Sequence, residues 1–220
     1  MVKQLKVVKR QKKFLKLLAD SKLADQFYFT GGTALSLYYL KHRFSEDLDF
    51  FCEDEFEPSM ISAWLKQNKE KIGYKTIDLQ ISFNRNIFLL RFGKEDFLKV
   101  EFTYFPFKRI GAGLSKGGLK VNSLLDIGVD KLFTISQNPR GRDYYDLFFI
   151  LEKLDNRIDD LRKLAKIKFD WHVDSLQLGT QLSRVGEFLD DPILMKSLDK
   201  EKLVDFFKQE ASKLKGEIIE

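Results

Sequence analysis

Apolar and polar positions change rhythm along this chain, and the changes mark its elements. In residues 1–24, Leu5, Val8, Leu15 and Leu18 fall at helical spacings among basic residues, which predicts an amphipathic helix. An aromatic run, Phe27-Tyr28-Phe29, then reads as a buried strand. Gly31 and Gly32 break it, and Thr33 is a good cap for a helix from Ala34 to about Lys41. A loop carrying His42, Arg43 and Ser45 leads into Asp47–Cys52, where the pattern has period two. Successive strand side chains point to opposite faces, so Asp47 and Asp49 share one face while Leu48 and Phe50 point into the core.

Residues 59–71 read as a helix with Ile61, Trp64 and Leu65 inward. Three strands follow, near Lys75–Phe83, Ile87–Phe92 and Phe97–Tyr104, separated by turns at Asn84–Arg85 and Gly93–Asp96, so an antiparallel meander is predicted. The third places Lys99, Glu101 and Thr103 on one face. The Gly-rich stretch 105–120 lacks P-loop order and reads as a connector. From Asn122 the period becomes helical, with two to four further helices beyond Asn156 and a charged amphipathic one over Leu198–Glu220. The fold expected is α+β: a sheet domain over residues 1–112 with the basic helix at its N-terminus, and a helical domain over residues 113–220.

Composition narrows the class. The 220 residues are 44% hydrophobic and include 21 Phe, enough for a substantial core. No stretch approaches the roughly 20 apolar residues that cross a bilayer, and the N-terminus lacks the apolar segment of a signal peptide. A soluble protein of the cytoplasm, without a membrane partner, is expected. The single cysteine, Cys52, excludes an internal disulfide and a cysteine-rich zinc site, and reads as packing. Net charge is +5, compatible with a nucleic-acid partner. The basic helix carries seven Lys or Arg by residue 16 and no acid before Asp20. It reads as a solvated lid or as a contact for the phosphates of an RNA, with a membrane-surface helix as a distant third reading.

The candidate chemistry lies in Phe27–Cys52. Two carboxylates on one strand face stand roughly 6.5–7 Å apart, and at an effective dielectric near 20 they repel by about 2–2.5 kcal/mol. Solvation, basic partners or a divalent cation can offset this, and magnesium, which takes carboxylate oxygens and substrate phosphates, suits the pair best. Backbone N–H groups after Gly31 and Gly32, at a helix start, suit phosphate. A phosphate cradle followed by metal carboxylates points to a nucleoside triphosphate. The acidic run Glu53, Asp54, Glu55 and Glu57 ahead of Pro58 reads instead as a solvated turn.

The strings GGTAL, HRxS and DLDFF (Gly31–Leu35, His42–Ser45, Asp47–Phe51), followed by DKLFTI and RDYYDL (Arg142–Leu147), resemble motifs of the AbiEii/AbiGii-type, MenT-like nucleotidyltransferase toxins. These lie within the DNA polymerase β-like superfamily. The resemblance covers roughly Phe27 to Leu151. It implies a nucleotidyltransferase-type mixed or antiparallel sheet followed by helices. It also implies transfer of a nucleotidyl group from an NTP with release of pyrophosphate, on magnesium, with manganese as the alternative. In this reading Asp47, Asp49 and Glu101 hold the metals and Gly31, Gly32 and Thr33 grip phosphates. Lys131 neutralises the triphosphate and Asp146 is the essential acid of the later motif. Ser45 lies in the nucleotide-binding loop, and Arg43 either reaches the triphosphate or pins Asp49. By the same resemblance the acceptor is RNA, a tRNA 3′ end, and a cognate antitoxin is the partner. The competing readings are a protein or small-molecule hydroxyl as acceptor, or a nucleotide-binding module without catalysis. For RDYYDL the competing reading is helix docking through buried ion pairs.

Overall fold

The computed structural model describes residues 2–155 and 157–214. Its helices and strands divide between two compact units. The first comprises Met1–Ala34, Ser45–Lys108 and Ala112–Asn122; the second comprises Leu35–Phe44, Arg109–Gly111 and Ser123–Glu220.

The first unit is built on seven strands: β1 (Tyr28–Thr30), β2 (Leu48–Cys52), β3 (Thr76–Ser82), β4 (Arg85–Arg91), β5 (Phe97–Tyr104), β6 (Leu114–Lys116) and β7 (Leu119–Val121). They form one mixed sheet in the order β3-β4-β5-β2-β1-β7-β6. β2 runs antiparallel to β1 and parallel to β5. The expected meander is present as β3-β4-β5. Burial in β2 alternates as its sequence does, with Leu48, Phe50 and Cys52 buried. The many phenylalanines concentrate behind this face: Phe50 stacks on Phe102 at 5.0 Å and lies 5.2 Å from Phe29. Helix α1 (Val2–Ala19) adds Phe14, Leu15 and Leu18 to that core, with Phe14 edge-on to Trp64 at 5.4 Å. Trp64 belongs to α4 (Pro58–Gln67). Two one-turn helices, α2 (Leu23–Gln26) and α5 (Lys69–Ile72), complete the unit's connections.

Three expectations are corrected. The segment 105–120 is not wholly a connector: Leu114–Lys116 and Leu119–Val121 pair around Gly117-Gly118, both glycines at positive φ. A two-residue turn of that kind suits a hairpin, and β7 then joins the sheet beside β1. The expected boundary at 112/113 therefore gives way to one at 122/123, with 35–44 and 109–111 also assigned to the second unit. The helix after the glycine pair begins at Gly31 as α3 (Gly31–Ala34), with Thr33 inside it, and continues as a π-helix over Leu35–Leu40.

The second unit packs α6 (Leu124–Gln137), α7 (Gly141–Leu154), α8 (Ile158–Phe169), α9 (Ser175–Ser183), α10 (Val185–Phe188) and α11 (Lys200–Leu214) with the π-helix. Ser123 caps α6, accepting from the Asp126 N–H at 2.9 Å. Gly128 admits close helix packing, since an added Cβ would stand 3.0 Å from Ile150 Cγ2. One buried ammonium, Lys168, ties α8 to α6 through Asp126 at 2.9 Å and Asp130 at 2.6 Å. Residues 215–220 of the expected C-terminal helix lie outside the described residues.

Candidate active site

In the first unit the acid strand and the glycine pair are brought together. Gly31 has φ +74° and an added Cβ would overlap Asp49 Oδ2, so the carboxylate lies against the glycine backbone. Only a residue without a side chain combines that φ with that approach. Thr33 donates its hydroxyl to the Asp47 carbonyl, fixing the backbone that carries the first acid. Its role here is to hold Asp47 in place. From α1, the buried Gln11 amide donates to the carbonyls of Ser45 at 2.9 Å and Glu46 at 2.8 Å. Ser45 is thus fixed through its backbone.

Glu101 stands beside Asp49 in the parallel register of β2 and β5. Paired residues of adjacent strands share a face, so Asp49 and Glu101 do. Glu101 is 5% exposed and held by Arg85, Nε to Oε1 at 2.6 Å and Nη2 to Oε2 at 2.7 Å, with the Thr103 hydroxyl donating at 3.0 Å. Burial would raise its pKa, but Arg85, Lys99 and Thr103 outweigh that and keep it below the ordinary value. Lys99 lies 3.1 Å from Asp47 and 3.6 Å from Glu101. The repulsion expected from the acid pattern is therefore met by an arginine and a lysine on the same sheet.

Those donors suit magnesium in kind: three carboxylates, oxygen only, with Asp49 and Glu101 side by side in register. As they stand, no group of three His, Cys, Asp or Glu among the described residues is arranged to hold an ion. Glu101 is turned to Arg85, and Asp47 to Lys99.

The later motifs form a second cluster, within the second unit. Asp146 is fully buried and accepts from Arg43 Nε at 2.6 Å and Nη2 at 2.8 Å, and from His42 Nε2 at 2.7 Å. Lys131 Nζ stands 2.8 Å from Asp146 and 2.6 Å from Asp143. Asp143 also caps its own helix with Arg140. Burial opposes ionisation of Asp146, but Lys131, Arg43 and His42 hold it well below the usual carboxylate range. Burial lowers the pKa of His42 despite Asp146, so the ring is neutral near pH 7. It then donates from Nε2. Burial likewise opposes the Lys131 charge, and Asp146 and Asp143 keep its pKa above the ordinary value.

Arg43 therefore goes to Asp146, not to Asp49, in a two-pronged, desolvated pair that suits a guanidinium better than an ammonium. The Lys131 charge is met by two carboxylates before any phosphate arrives. Arg85, the engagement of Lys99, Gln11 and the His42–Asp146 bond were not foreseen. The face shared by Lys99 and Glu101 was readable; Arg85, at a hairpin turn, was not.

No helix among the described residues is long and apolar enough to cross a membrane. An uncharacterised protein of Aquifex aeolicus is 31% identical over 177 residues, covering 74% of this chain and 76% of that one. The crystal structure of JHP933 from Helicobacter pylori superposes with a TM-score of 0.61 at 20% identity, covering 97% of this chain and 92% of the other. A second H. pylori protein, proposed to be a nucleotidyltransferase, gives 0.64 at 22% identity over 98% and 97%. These two likenesses establish the fold. The family described as "Nucleotidyl transferase AbiEii toxin, Type IV TA system" matches residues 13–214. With Asp49 set against Gly31 and the family model running through the later motifs as well, this chain belongs to the AbiEii toxin family of nucleotidyltransferases.

Proposed function

We propose that this enzyme moves a nucleoside monophosphate from an NTP to a hydroxyl of RNA, the 3′ end of a tRNA, releasing pyrophosphate. It does so in the cytoplasm as a toxin restrained by a cognate antitoxin. The observation that carries the reading is the placement of Asp49 against Gly31 on one side and in register with Glu101 on the other.

Asp47, Asp49 and Glu101 would hold magnesium, or manganese in its place. When bound, the metal neutralises triphosphate charge and lowers the pKa of the acceptor hydroxyl. Gly31 and Gly32 offer backbone N–H groups to the phosphates, with Thr33 keeping the acid strand in position. Arg85, half-exposed, and Lys99 now balance the acids. Arg85 and Lys99 would meet triphosphate oxygens wherever a bound cation neutralised these carboxylates. Within the second unit Asp146 holds His42 and Arg43, and Lys131 joins Asp146 to Asp143.

An RNA acceptor is supported by α1. Lys6, Lys9, Lys12, Lys13 and Lys16 are all exposed. At 3.6 residues per turn they fall within about a third of the helix circumference. A row of point charges of this kind suits a phosphate backbone. The buried side of the same helix carries Gln11, which holds the segment leading into Asp47.

The test is to incubate the protein with each α-labelled NTP, magnesium, and either total tRNA or cell protein. Label in RNA is expected. Label in protein would reassign the acceptor, and NTP binding without turnover would make the chain a sensor. Asp49→Asn should lower transfer at least about a thousandfold, roughly 4 kcal/mol of transition-state stabilisation. Full activity in that variant would refute the assignment.

A further inference from the structure

β3 is the outermost strand of its sheet, bonded along one edge only, to β4. All seven of its residues are exposed. Its pattern is nonetheless that of a half-buried strand. Ile77, Leu79 and Ile81 point to one side and Thr76, Asp78, Gln80 and Ser82 to the other. The apolar row pairs with Leu90, Phe88 and Asn86, which are buried, so it continues the core-facing side one strand beyond its cover. Of the devices that normally blunt an edge, one charge is present, Asp78, and Arg91 of β4 pairs with it. There is no proline, lysine or bulge within Thr76–Ser82, and every residue has one partner on β4.

We propose that this edge is a docking surface for a second copy of the same chain. The two β3 strands would pair antiparallel about a two-fold axis at Leu79. The strand reads Thr-Ile-Asp-Leu-Gln-Ile-Ser, nearly the same in character from either end. Centred on Leu79, the pairing sets Leu79 against Leu79, Ile77 against Ile81 and Thr76 against Ser82. Asp78 meets Gln80, whose amide can donate to the carboxylate. A one-residue slip sets apolar against polar residues, and a register centred on Asp78 sets two carboxylates face to face. The Leu79-centred register satisfies both faces and pairs all seven strand residues, whereas one centred on Gln80 pairs only Asp78–Ser82. A two-fold contact uses the same patch twice and closes on itself. Here it joins two seven-stranded sheets into one and brings the two apolar rows together on one face. Extended by one residue, it sets Lys75 of each copy beside the fully exposed Phe83 of the other.

The contact is a single strand edge, smaller than a standard interface, so a reversible dimer is expected. Sedimentation velocity of the full chain from about 1 to about 100 μM should show monomer passing to dimer. Leu79→Lys, an exposed change that leaves the core intact, should raise the dissociation constant at least about tenfold. The native Cys52 is buried, so an introduced cysteine can report the register. Leu79→Cys should form a disulfide dimer under mild oxidation, since opposed antiparallel residues have Cα atoms about 4.5–5.5 Å apart. Ile77→Cys and Ile81→Cys should each cross-link poorly alone and well when mixed. A monomer at every concentration, a dimer indifferent to Leu79→Lys, or Ile77→Cys linking to itself as readily as Leu79→Cys would overturn the proposal. So would β3 amides that gain exchange protection only when a different protein is added.

Discussion

At the scale of single residues, the site turns on a side chain that is absent. Gly31 combines a left-handed backbone with the approach of Asp49. Gly31→Ala should cost about 1–2 kcal/mol from the backbone alone, while transfer falls by at least about a hundredfold because the carboxylate is displaced. Urea unfolding and labelled-NTP turnover on the same preparation separate the two effects. Asp130 makes a second residue-scale case. Burial raises its pKa to about 6, against the pull of Lys168, which also serves Asp126. A carboxyl whose pKa is raised on folding contributes stability below its unfolded value, near pH 4, and that contribution is lost as pH rises through about 6. Asp130→Asn should therefore gain on the parent protein as pH rises from 4.5 to 7, as urea midpoints at both values will show. Asp126, Asp143, Asp146 and Glu101 are depressed and act in the opposite sense, losing their contribution as pH falls below about 4. What was legible here was the chemistry of neighbours in sequence: the acid alternation of Asp47 and Asp49, and the packing of Cys52. What was not legible was which cations meet the acids, because Arg85 reaches Glu101 only through the β4–β5 register.

At the scale of elements, periodicity predicted the three strands of the meander to within a few residues, since hydrophobic alternation and turn residues are local signals. It missed β6 and β7. Three-residue strands carry almost no period, although the Gly117-Gly118 pair was a readable hairpin signal. It also placed the helix after the glycines three residues late, because Thr33 looks like a cap and instead fixes Asp47 from inside the helix. Helices α6 and α7 are joined through charge as well as packing. Lys131→Met would leave Asp143 and Asp146 short of a buried partner. The loss should be about 3–5 kcal/mol, seen as a lower urea midpoint, with NTP use impaired alongside it. Helix α1 offers the opposite case, a solvent-facing charge row whose loss should leave the fold unchanged. Reversing Lys9 and Lys13 to Glu should weaken binding of tRNA and flatten its dependence on salt, measurable by filter binding across salt concentrations.

At the scale of the whole molecule, substrate binding and stability are linked. NTP with magnesium at about a hundred times its dissociation constant stabilises the native state by about 2.7 kcal/mol. For a chain of this size that is a rise in Tm of roughly 5–10 °C. Asp47→Asn and Asp49→Asn should abolish the rise, and scanning calorimetry with and without magnesium reads it directly. The acid strand β2 lies inside the sheet, flanked by β1 from earlier in the chain and by β5 from about fifty residues later. Non-local pairing of that kind completes late in folding. During synthesis Asp47 and Asp49 leave the ribosome well before the strand bearing Glu101 exists to lie beside them. A prematurely terminated chain thus carries Asp47 and Asp49 without the strand that pairs beside them.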